Sequence, residues 1–213
     1  MSDAQSAGAS PQIPPPQTWV HGIARAMIRP LINTPVTPNH LTTLRLLLGL
    51  AAALAFAHGA YLWQAAGGAI FIFSALLDRA DGELARLSGR MSKAGHRYDL
   101  FSDGFSNVAA FVGIGVGLRD SVLGMWAPWL GLLAGLAVAG IFIVVMLLHN
   151  VGSKPGVAFN YPHGFDFDDA LFVIGPVAWL NGLLPLIIAA AIGAPLFLLF
   201  SLWRYRVVTT ASA

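Results

Sequence analysis

Residues 78–103 read DRADGELAR-LSGRMSKA-GHRYDLFSD, with long apolar stretches before and after them. Asp78 and Asp81 are three residues apart, so they share one face of a helix that turns by about 100° per residue. Asp99 and Asp103 are four residues apart and share one face of the next helix. The short connection predicts that the two helices are antiparallel neighbours. We therefore expect the four carboxylates to converge on one point.

Clustered carboxylates in an apolar chain need positive charge close by. An aspartate at the centre of a bilayer costs about 2.5–3.5 kcal/mol, and four of them also repel one another. One arginine would not neutralise them, whereas two divalent cations would. The chain has no cysteine, and oxygen ligands without a histidine pair favour Mg²⁺ or Mn²⁺ over Zn²⁺. Two ions held by carboxylates are typical of phosphoryl transfer.

Small residues accompany the aspartates. Gly82, Ala85 and Gly95 have side chains small enough for a bulky ligand to approach the backbone closely. Glu83 points away from the face that carries the aspartates, so we expect it to be solvated.

The spacing D-x2-D-G-x2-A-R-x8-G-x3-D-x3-D resembles the signature of the CDP-alcohol phosphatidyltransferase family (class I), and the chain matches every fixed position. The segment PNHLT at residues 38–42 is also similar to that family. The resemblance implies that Asp78, Asp81 and Asp99 ligate metal. It implies that Asp103 is the catalytic base and also lies near the second metal ion.

The same resemblance implies which residues contact the cytidine diphosphate moiety. Gly82, Ala85, Arg86 and Gly95 would shape its site. Asn39 and Thr42 either contact the nucleotide or cap the first membrane span. The family resemblance also implies a homodimer.

The resemblance implies a direct displacement at phosphorus. Asp103 deprotonates an acceptor hydroxyl, the hydroxyl attacks the donor phosphorus, and CMP leaves. In the leading hypothesis the donor is a CDP-linked lipid such as CDP-diacylglycerol, and the acceptor is a small polar alcohol in phospholipid synthesis. An alternative is transfer of a CDP-linked head group to a lipid or polyol alcohol. A cation transporter is a third hypothesis, but it has no need for Gly82, Ala85 and Arg86 in that register.

The acceptor is not named by the signature. The polar segment at residues 149–169 is where we expect its pocket, and Arg97, His149 and Lys154 are candidates for holding an acceptor phosphate. Asp166, Asp168 and Asp169 are expected to cap the helix that follows, the alternative being that they contact a cationic acceptor.

Composition indicates a membrane protein. The chain has 213 residues, of which 56% are hydrophobic and 10% charged, and its mean hydropathy is +0.69. Soluble domains carry about 25% charged residues, so most of this surface must face lipid. The net charge of +2 is small and does not indicate a nucleic-acid partner.

The hydropathy pattern predicts an all-α integral membrane protein with six transmembrane helices. Each span needs about 20 residues to cross the hydrocarbon core. The fifth is short and would have to be lengthened at both ends. The predicted spans are residues 41–58, 61–88, 95–118, 126–148, 170–179 and 183–203.

The N-terminal region is predicted to have two parts. Residues 1–16 have no basic start and no apolar run, so they are expected to be a disordered tail and not a signal peptide. Residues 17–213 form a single membrane domain. Residues 18–31 are predicted to form an amphipathic helix, with Ile23 and Met27 among the apolar residues on one side. It would lie on the membrane surface, the alternative being an ordinary packed helix.

The distribution of Lys and Arg predicts the orientation. Six spans place both termini on one side, which receives eleven of the twelve Lys and Arg residues, while the other side receives Arg119 alone. We therefore expect both termini and the active site on the cytoplasmic side of the inner membrane. The eleven residues are Arg25, Arg29, Arg45, Arg79, Arg86, Arg90, Lys93, Arg97, Lys154, Arg204 and Arg206.

Overall fold

The computed structural model describes residues 19–151 and 167–211, and these are helical, with no strand among them. The predicted tail at residues 1–16 lies outside the described residues. The α-helices are α1 (Trp19–Ile28), α2 (Pro38–His58), α3 (Tyr61–Ser88), α4 (Lys93–Gly117), α5 (Ala127–Val151), α6 (Ile174–Trp179) and α7 (Leu183–Ala211). Short 3₁₀ helices cover Arg29–Leu31, Gly124–Trp126 and Phe167–Val173.

Local sequence sets the ends of the helices around the signature. Thr37 caps α2 in a reciprocal arrangement with His40, and Pro38 occupies the first helical turn. Gly89 adopts φ +67° after α3, a left-handed conformation that glycine accepts without strain. The Ser92 hydroxyl accepts a hydrogen bond of 2.9 Å from the Gly95 amide at the start of α4. A tight turn therefore joins α3 to α4.

Helix α2 lies against both of the helices that carry the signature aspartates. It packs along both α3 and α4, whereas α3 and α4 touch each other only sparsely. The expectation that α3 and α4 are direct neighbours is therefore wrong over most of their length. Helix α5 joins the bundle through α4, α7 packs on α5, and α6 packs on α3.

Glycines allow the closest helix contacts. A methyl group at Gly113 would collide with the Ala53 carbonyl, and one at Gly117 would collide with the Phe56 carbonyl. Gly131 lies equally close to the Phe111 carbonyl. These glycines are used in packing within the chain, so they give no argument for the predicted homodimer.

Within residues 19–151 and 167–211, five helices are long and apolar enough to cross a membrane. They are Pro38–His58, Tyr61–Ser88, Lys93–Gly117, Gly124–Leu148 and Leu183–Thr210. This agrees with an integral membrane protein. The predicted fifth span is instead a shorter apolar helix, Asp169–Trp179, which falls short of the length of about 20 residues that a crossing needs. Six spans are therefore not confirmed for the described part of the chain.

Exposed aromatic residues gather at the end of the bundle that lies away from the signature. Trp179 at the end of α6 donates a hydrogen bond of 2.9 Å to the Ala65 carbonyl near the start of α3. Its own carbonyl accepts one of 2.9 Å from Tyr61. Such a belt is typical of the boundary between lipid and water. The exposed aromatic residues at this end are Tyr61, Trp63, Trp126, Trp129 and Trp179.

Helix α1 has two apolar faces. Val20, Ala24 and Ile28 are buried because α1 packs on α3. Ile23 and Met27, on the face predicted to meet the membrane, are 44% and 36% exposed. The helix is therefore packed on one side, as the alternative interpretation had it, and keeps exposed apolar side chains on another.

Candidate active site

Three of the predicted carboxylates form a compact cluster. Asp78 and Asp81 on α3 and Asp99 on α4 each offer a carboxylate oxygen, and these oxygens lie within 4.8 Å of one another. Asp81 is 4% exposed, and Thr42 on α2 donates a hydrogen bond of 2.8 Å to it. The spacing in the sequence therefore brings together three of the four carboxylates that were expected to converge.

Arg45 on α2 lies among the carboxylates. It is 2% exposed, and one of its terminal nitrogens lies 2.8 Å from Asp78 and 3.1 Å from Asp103. The other lies 3.2 Å from the Asp99 carboxylate and 2.9 Å from its carbonyl. Arg45 therefore connects the two acidic helices. From the sequence, Arg45 contributes only to the charge distribution that predicts the orientation of the membrane spans.

Asp103 sits beside this cluster. Its Oδ1 accepts hydrogen bonds of 3.1 Å from Arg45 and 3.1 Å from Asn107, one helical turn further along α4. Together with Asp78 it lines a cavity of about 20 Å³, which is room for about one water molecule. The other residues that line this cavity are Arg45, Phe71, Ser74, Ala75, Arg79, Ser106, Asn107, Phe142, Leu171 and Phe172.

A larger cavity of about 300 Å³ opens on the side of Asp81 and Asp99. That volume is at the lower end of the range for small-molecule sites. Five of the six residues predicted to contact the nucleotide line it, namely Thr42, Gly82, Ala85, Arg86 and Gly95. Its remaining lining residues are Asp81, Arg90, Met91, Ser92, His96 and Asp99.

The two signature glycines meet different surroundings. A methyl group at Gly95 would come within 3.0 Å of the Asn39 side chain and 2.9 Å of the Ser92 hydroxyl. Gly95 therefore allows α4 to approach the start of α2, and Asn39 stands at this contact. A methyl group at Gly82 would meet only Arg86, at 3.9 Å, so Gly82 keeps space open toward the cavity.

The prediction that Glu83 is solvated is wrong, because this residue is 1% exposed. Arg25 of α1 lies 2.8 Å from one carboxylate oxygen, and Arg86 lies 2.7 Å from the other. Glu83 does point away from the aspartates, but α1 covers the face on which it lies.

Asp169 also has a role that differs from the expected cap. Arg79, the residue after Asp78, lies 2.9 Å from the Asp78 carboxylate and 3.2 Å from that of Asp169. Arg79 and Asp169 are 8% and 7% exposed. The segment before α6 is thereby tied to the carboxylate cluster.

The structure describes one of the three acceptor candidates fully. Arg97 is exposed on α4 and does not line either cavity. His149 lies in the last turn of α5, where its side chain is not described, and Lys154 lies outside the described residues. The prediction that these residues hold an acceptor phosphate stays a prediction.

The cluster fits a divalent metal ion. Its donors are carboxylate oxygens, which Mg²⁺ and Mn²⁺ prefer, and they are close enough together to share one ion. Arg45 supplies one positive charge to Asp78, Asp99 and Asp103, and the charge of Arg79 is shared with Asp169. The site is therefore still more negative than positive, which favours binding of a cation.

The fold and the site define a class of protein. It is a helical membrane protein with a carboxylate site, at one end of its helices, that is able to hold metal. The model of the CDP-alcohol phosphatidyltransferase family matches residues 35–211. The chain belongs to the CDP-alcohol phosphatidyltransferase family. The family predicted from the signature, a family of phosphotransferases in lipid synthesis, is thereby confirmed.

Two curated relatives match part of the chain. It is 35% identical over 104 residues to the bifunctional IPC transferase and DIPP synthase of Aquifex aeolicus, covering 48% of this chain and 22% of that protein. It is 38% identical over 88 residues to the archaetidylinositol phosphate synthase of Pyrococcus horikoshii, covering 41% and 45%. The match thus spans less than half the length of either relative.

A solved structure has the same fold. It is the phosphatidylinositol phosphate synthase of Mycobacterium tuberculosis, solved in complex with manganese and citrate. The TM-score is 0.54 at 23% identity, covering 86% of this chain and 88% of that one. The similarity in fold therefore extends over most of the chain.

Proposed function

We propose that this chain transfers a phosphatidyl group from a CDP-linked lipid, such as CDP-diacylglycerol, to the hydroxyl of a small polar alcohol, releasing CMP. One observation carries the proposal. The cluster of Asp78, Asp81 and Asp99 borders a cavity of about 300 Å³ that signature residues line. A site of this kind suits a diphosphate bound against metal, with the nucleotide in the cavity.

The chain's own residues supply the orientation and the base. Asp78, Asp81 and Asp99 would hold the metal, which we propose to be two Mg²⁺ or Mn²⁺ ions, with Asp103 near the second. When bound, the metal neutralises charge on the diphosphate and on the leaving phosphate. Thr42 fixes Asp81, and Gly82 leaves room for the nucleotide. Asp103 takes the proton of the acceptor hydroxyl, which then attacks the donor phosphorus as CMP departs.

The acceptor that we propose is a polyol phosphate. The names of the archaetidylinositol phosphate synthase and of the solved phosphatidylinositol phosphate synthase both contain inositol phosphate. An anionic acceptor needs cationic side chains, for which Arg97, His149 and Lys154 stay the candidates. Inositol phosphate is therefore the first compound to test.

A panel of acceptors tests the proposal. The purified protein in nanodiscs is given CDP-diacylglycerol labelled in the lipid, Mg²⁺ and one acceptor at a time, and both CMP release and labelled lipid products are measured. We expect CMP release and a new phospholipid with inositol phosphate, and neither with inositol alone. Glycerol phosphate, serine and an amino alcohol complete the panel.

The same panel distinguishes the alternatives. Transfer of a head group is tested with a CDP-linked alcohol and unlabelled diacylglycerol, a combination for which we expect no product. Absence of CMP release with every donor and acceptor would contradict phosphatidyl transfer and leave the cation-transporter hypothesis to be tested by ion flux.

We propose that the signature faces the cytoplasm, and single cysteines can test this because the chain has none of its own. Met91, in the turn next to the site, is 72% exposed, and Val122, at the opposite end of the bundle, is 90% exposed. Val122→Cys should react with an impermeant thiol reagent in intact spheroplasts. Met91→Cys should react only after the membrane is opened. The opposite pattern would invert the orientation.

Gly82→Ala is expected to separate folding from nucleotide binding. Within the protein the new methyl group would meet only Arg86, at 3.9 Å, and alanine favours the interior of α3 over glycine, so the thermal stability should stay the same or rise slightly. The same methyl group points toward the cavity, so the KM for the CDP donor should rise by about tenfold, on the order of 1.4 kcal/mol. Ala85→Ser is a useful comparison at the same cavity. An unchanged KM for Gly82→Ala would place the nucleotide elsewhere.

A further inference from the structure

We infer that Glu83 is a positioning residue that holds the Arg86 guanidinium at the nucleotide cavity, an inference that rests on the proposed function. Nothing in the signature spacing assigns Glu83 a role, because it is one of the two unspecified positions between Gly82 and Ala85. Its burial and its two ion pairs are the observations that need an explanation.

Glu83 is a buried carboxylate with two cationic partners. A buried carboxylate is expensive unless it is paired, and an apolar pair of similar volume is often at least as stable as a buried ion pair. Glu83 has both of its oxygens engaged, one by Arg25 and one by Arg86. The ion pair with Arg25 already neutralises the charge of the carboxylate. Arg86 satisfies the second buried oxygen, and its positive charge is then in excess at this cluster and available to an anionic ligand.

Arg86 is the partner with access to a ligand. Its side chain is 41% exposed, whereas that of Arg25 is 16% exposed. Arg86 lines the cavity of about 300 Å³, and its Nη2 is the atom that both contacts Glu83 and lies nearest to the open side of Gly82. The guanidinium is therefore held between Glu83 and the space that Gly82 keeps open.

An anchor of this kind affects affinity for a physical reason. A solvated arginine samples many rotamers, and part of that freedom is lost when it binds a phosphate or a base. Glu83, three residues earlier on the same helix face, restricts those rotamers before the ligand arrives. Arg25 fixes Glu83 in turn, so helix α1 supports the cavity without lining it.

The inference is tested by binding of CMP and by steady-state kinetics. Isothermal titration with CMP at saturating Mg²⁺ is compared for the wild type, Glu83→Gln, Arg86→Gln and the double variant. We expect Glu83→Gln to weaken CMP binding and to raise the KM for the CDP donor by about tenfold, the scale of ordering one long side chain on binding, with kcat changed by less than about twofold.

The double variant separates positioning from a structural role. If Glu83 acts through Arg86, the double variant should bind CMP no more weakly than Arg86→Gln alone, because coupled residues are not additive. Effects of Glu83→Gln and Arg86→Gln that multiply would overturn the inference, as would unchanged CMP affinity in Glu83→Gln. Arg29→Gln, which removes an exposed arginine next to α1, is the control and should bind like the wild type.

A second variant covers the case in which Glu83→Gln does not fold. Arg25→Met with Glu83→Met replaces the buried ion pair by apolar side chains and keeps α1 packed, while Arg86 loses its anchor. It should show the same tenfold loss of CMP affinity, and wild-type affinity in this variant would contradict the inference. If the wild type itself does not bind CMP, the proposed function fails. If the wild type binds CMP and the variants bind it equally well, only the role of Glu83 fails.

Discussion

Removal of divalent metal should abolish turnover, and Mg²⁺ or Mn²⁺ should restore it. The carboxylate oxygens of Asp78, Asp81 and Asp99 lie within 4.8 Å of one another, and Arg45 is the one cation that α2 places among them. A donor diphosphate brings further negative charge to this point, which that arginine does not offset. The measurement is CMP release after EDTA treatment, followed by titration with each metal.

Metal binding can also be measured without turnover. Electron paramagnetic resonance of Mn²⁺ gives the number of bound ions, for which we expect two. Asp81→Asn should raise the Mn²⁺ concentration needed for half-saturation, since it removes a buried carboxylate from the cluster. Asp120→Asn, whose side chain is 91% exposed at the opposite end of the bundle, should leave it unchanged. Full activity in rigorously chelated buffer would contradict a metal-dependent reaction.

Much of the site could be predicted from helix geometry. Spacings of three and four residues place side chains on one helix face whatever the fold around them, and Asp78, Asp81 and Asp99 do meet in the structure. The spacing did not predict which helix fills the gap between the two acidic helices. A short connection brings the end of α3 close to the start of α4, but it does not require the two helices to lie side by side. Helix α2 packs against both of them.

The position of Arg45 in the sequence carries information that the count of Lys and Arg on each side of the membrane does not use. It lies in the apolar run of the first span, three residues after Thr42. A charged residue in such a run is costly and therefore indicates a buried partner of opposite charge. Read that way, Arg45 predicts that the first span contributes to the carboxylate site, which is where the structure places it.

Glu83 and the fifth span show where a local pattern is insufficient. The periodicity of α3 correctly puts Glu83 off the face of the aspartates, but only tertiary packing reveals that α1 covers it. Residues 170–179 are apolar enough for a span. In the structure they belong to a short helix whose end, at Trp179, is hydrogen-bonded to α3. Neither outcome follows from composition.

Replacing Asp103 by asparagine should lower kcat by about 10² to 10⁴, the range for loss of general-base catalysis. Asp103 lies outside the compact cluster, and Arg45 and Asn107 orient its Oδ1. Asparagine has the same shape but cannot take a proton from the acceptor hydroxyl. Asp78, Asp81 and Asp99 remain in this variant, so affinity for the CDP donor should stay near that of the wild type. Both quantities are measured at saturating Mg²⁺.

Asp81→Asn is the matched comparison, because it makes the same chemical change inside the cluster. Asp81 is 4% exposed and borders the cavity of about 300 Å³ in which we propose that the nucleotide binds, so this variant should weaken the binding of both metal and CDP donor. If Asp103→Asn loses donor affinity as severely as Asp81→Asn does, Asp103 acts chiefly as a metal ligand. If Asp103→Asn keeps a normal kcat, another group activates the hydroxyl. Asp103 lines the small cavity that Asp78 also lines and does not line the cavity of about 300 Å³, which favours the proposed role of Asp103 as the base.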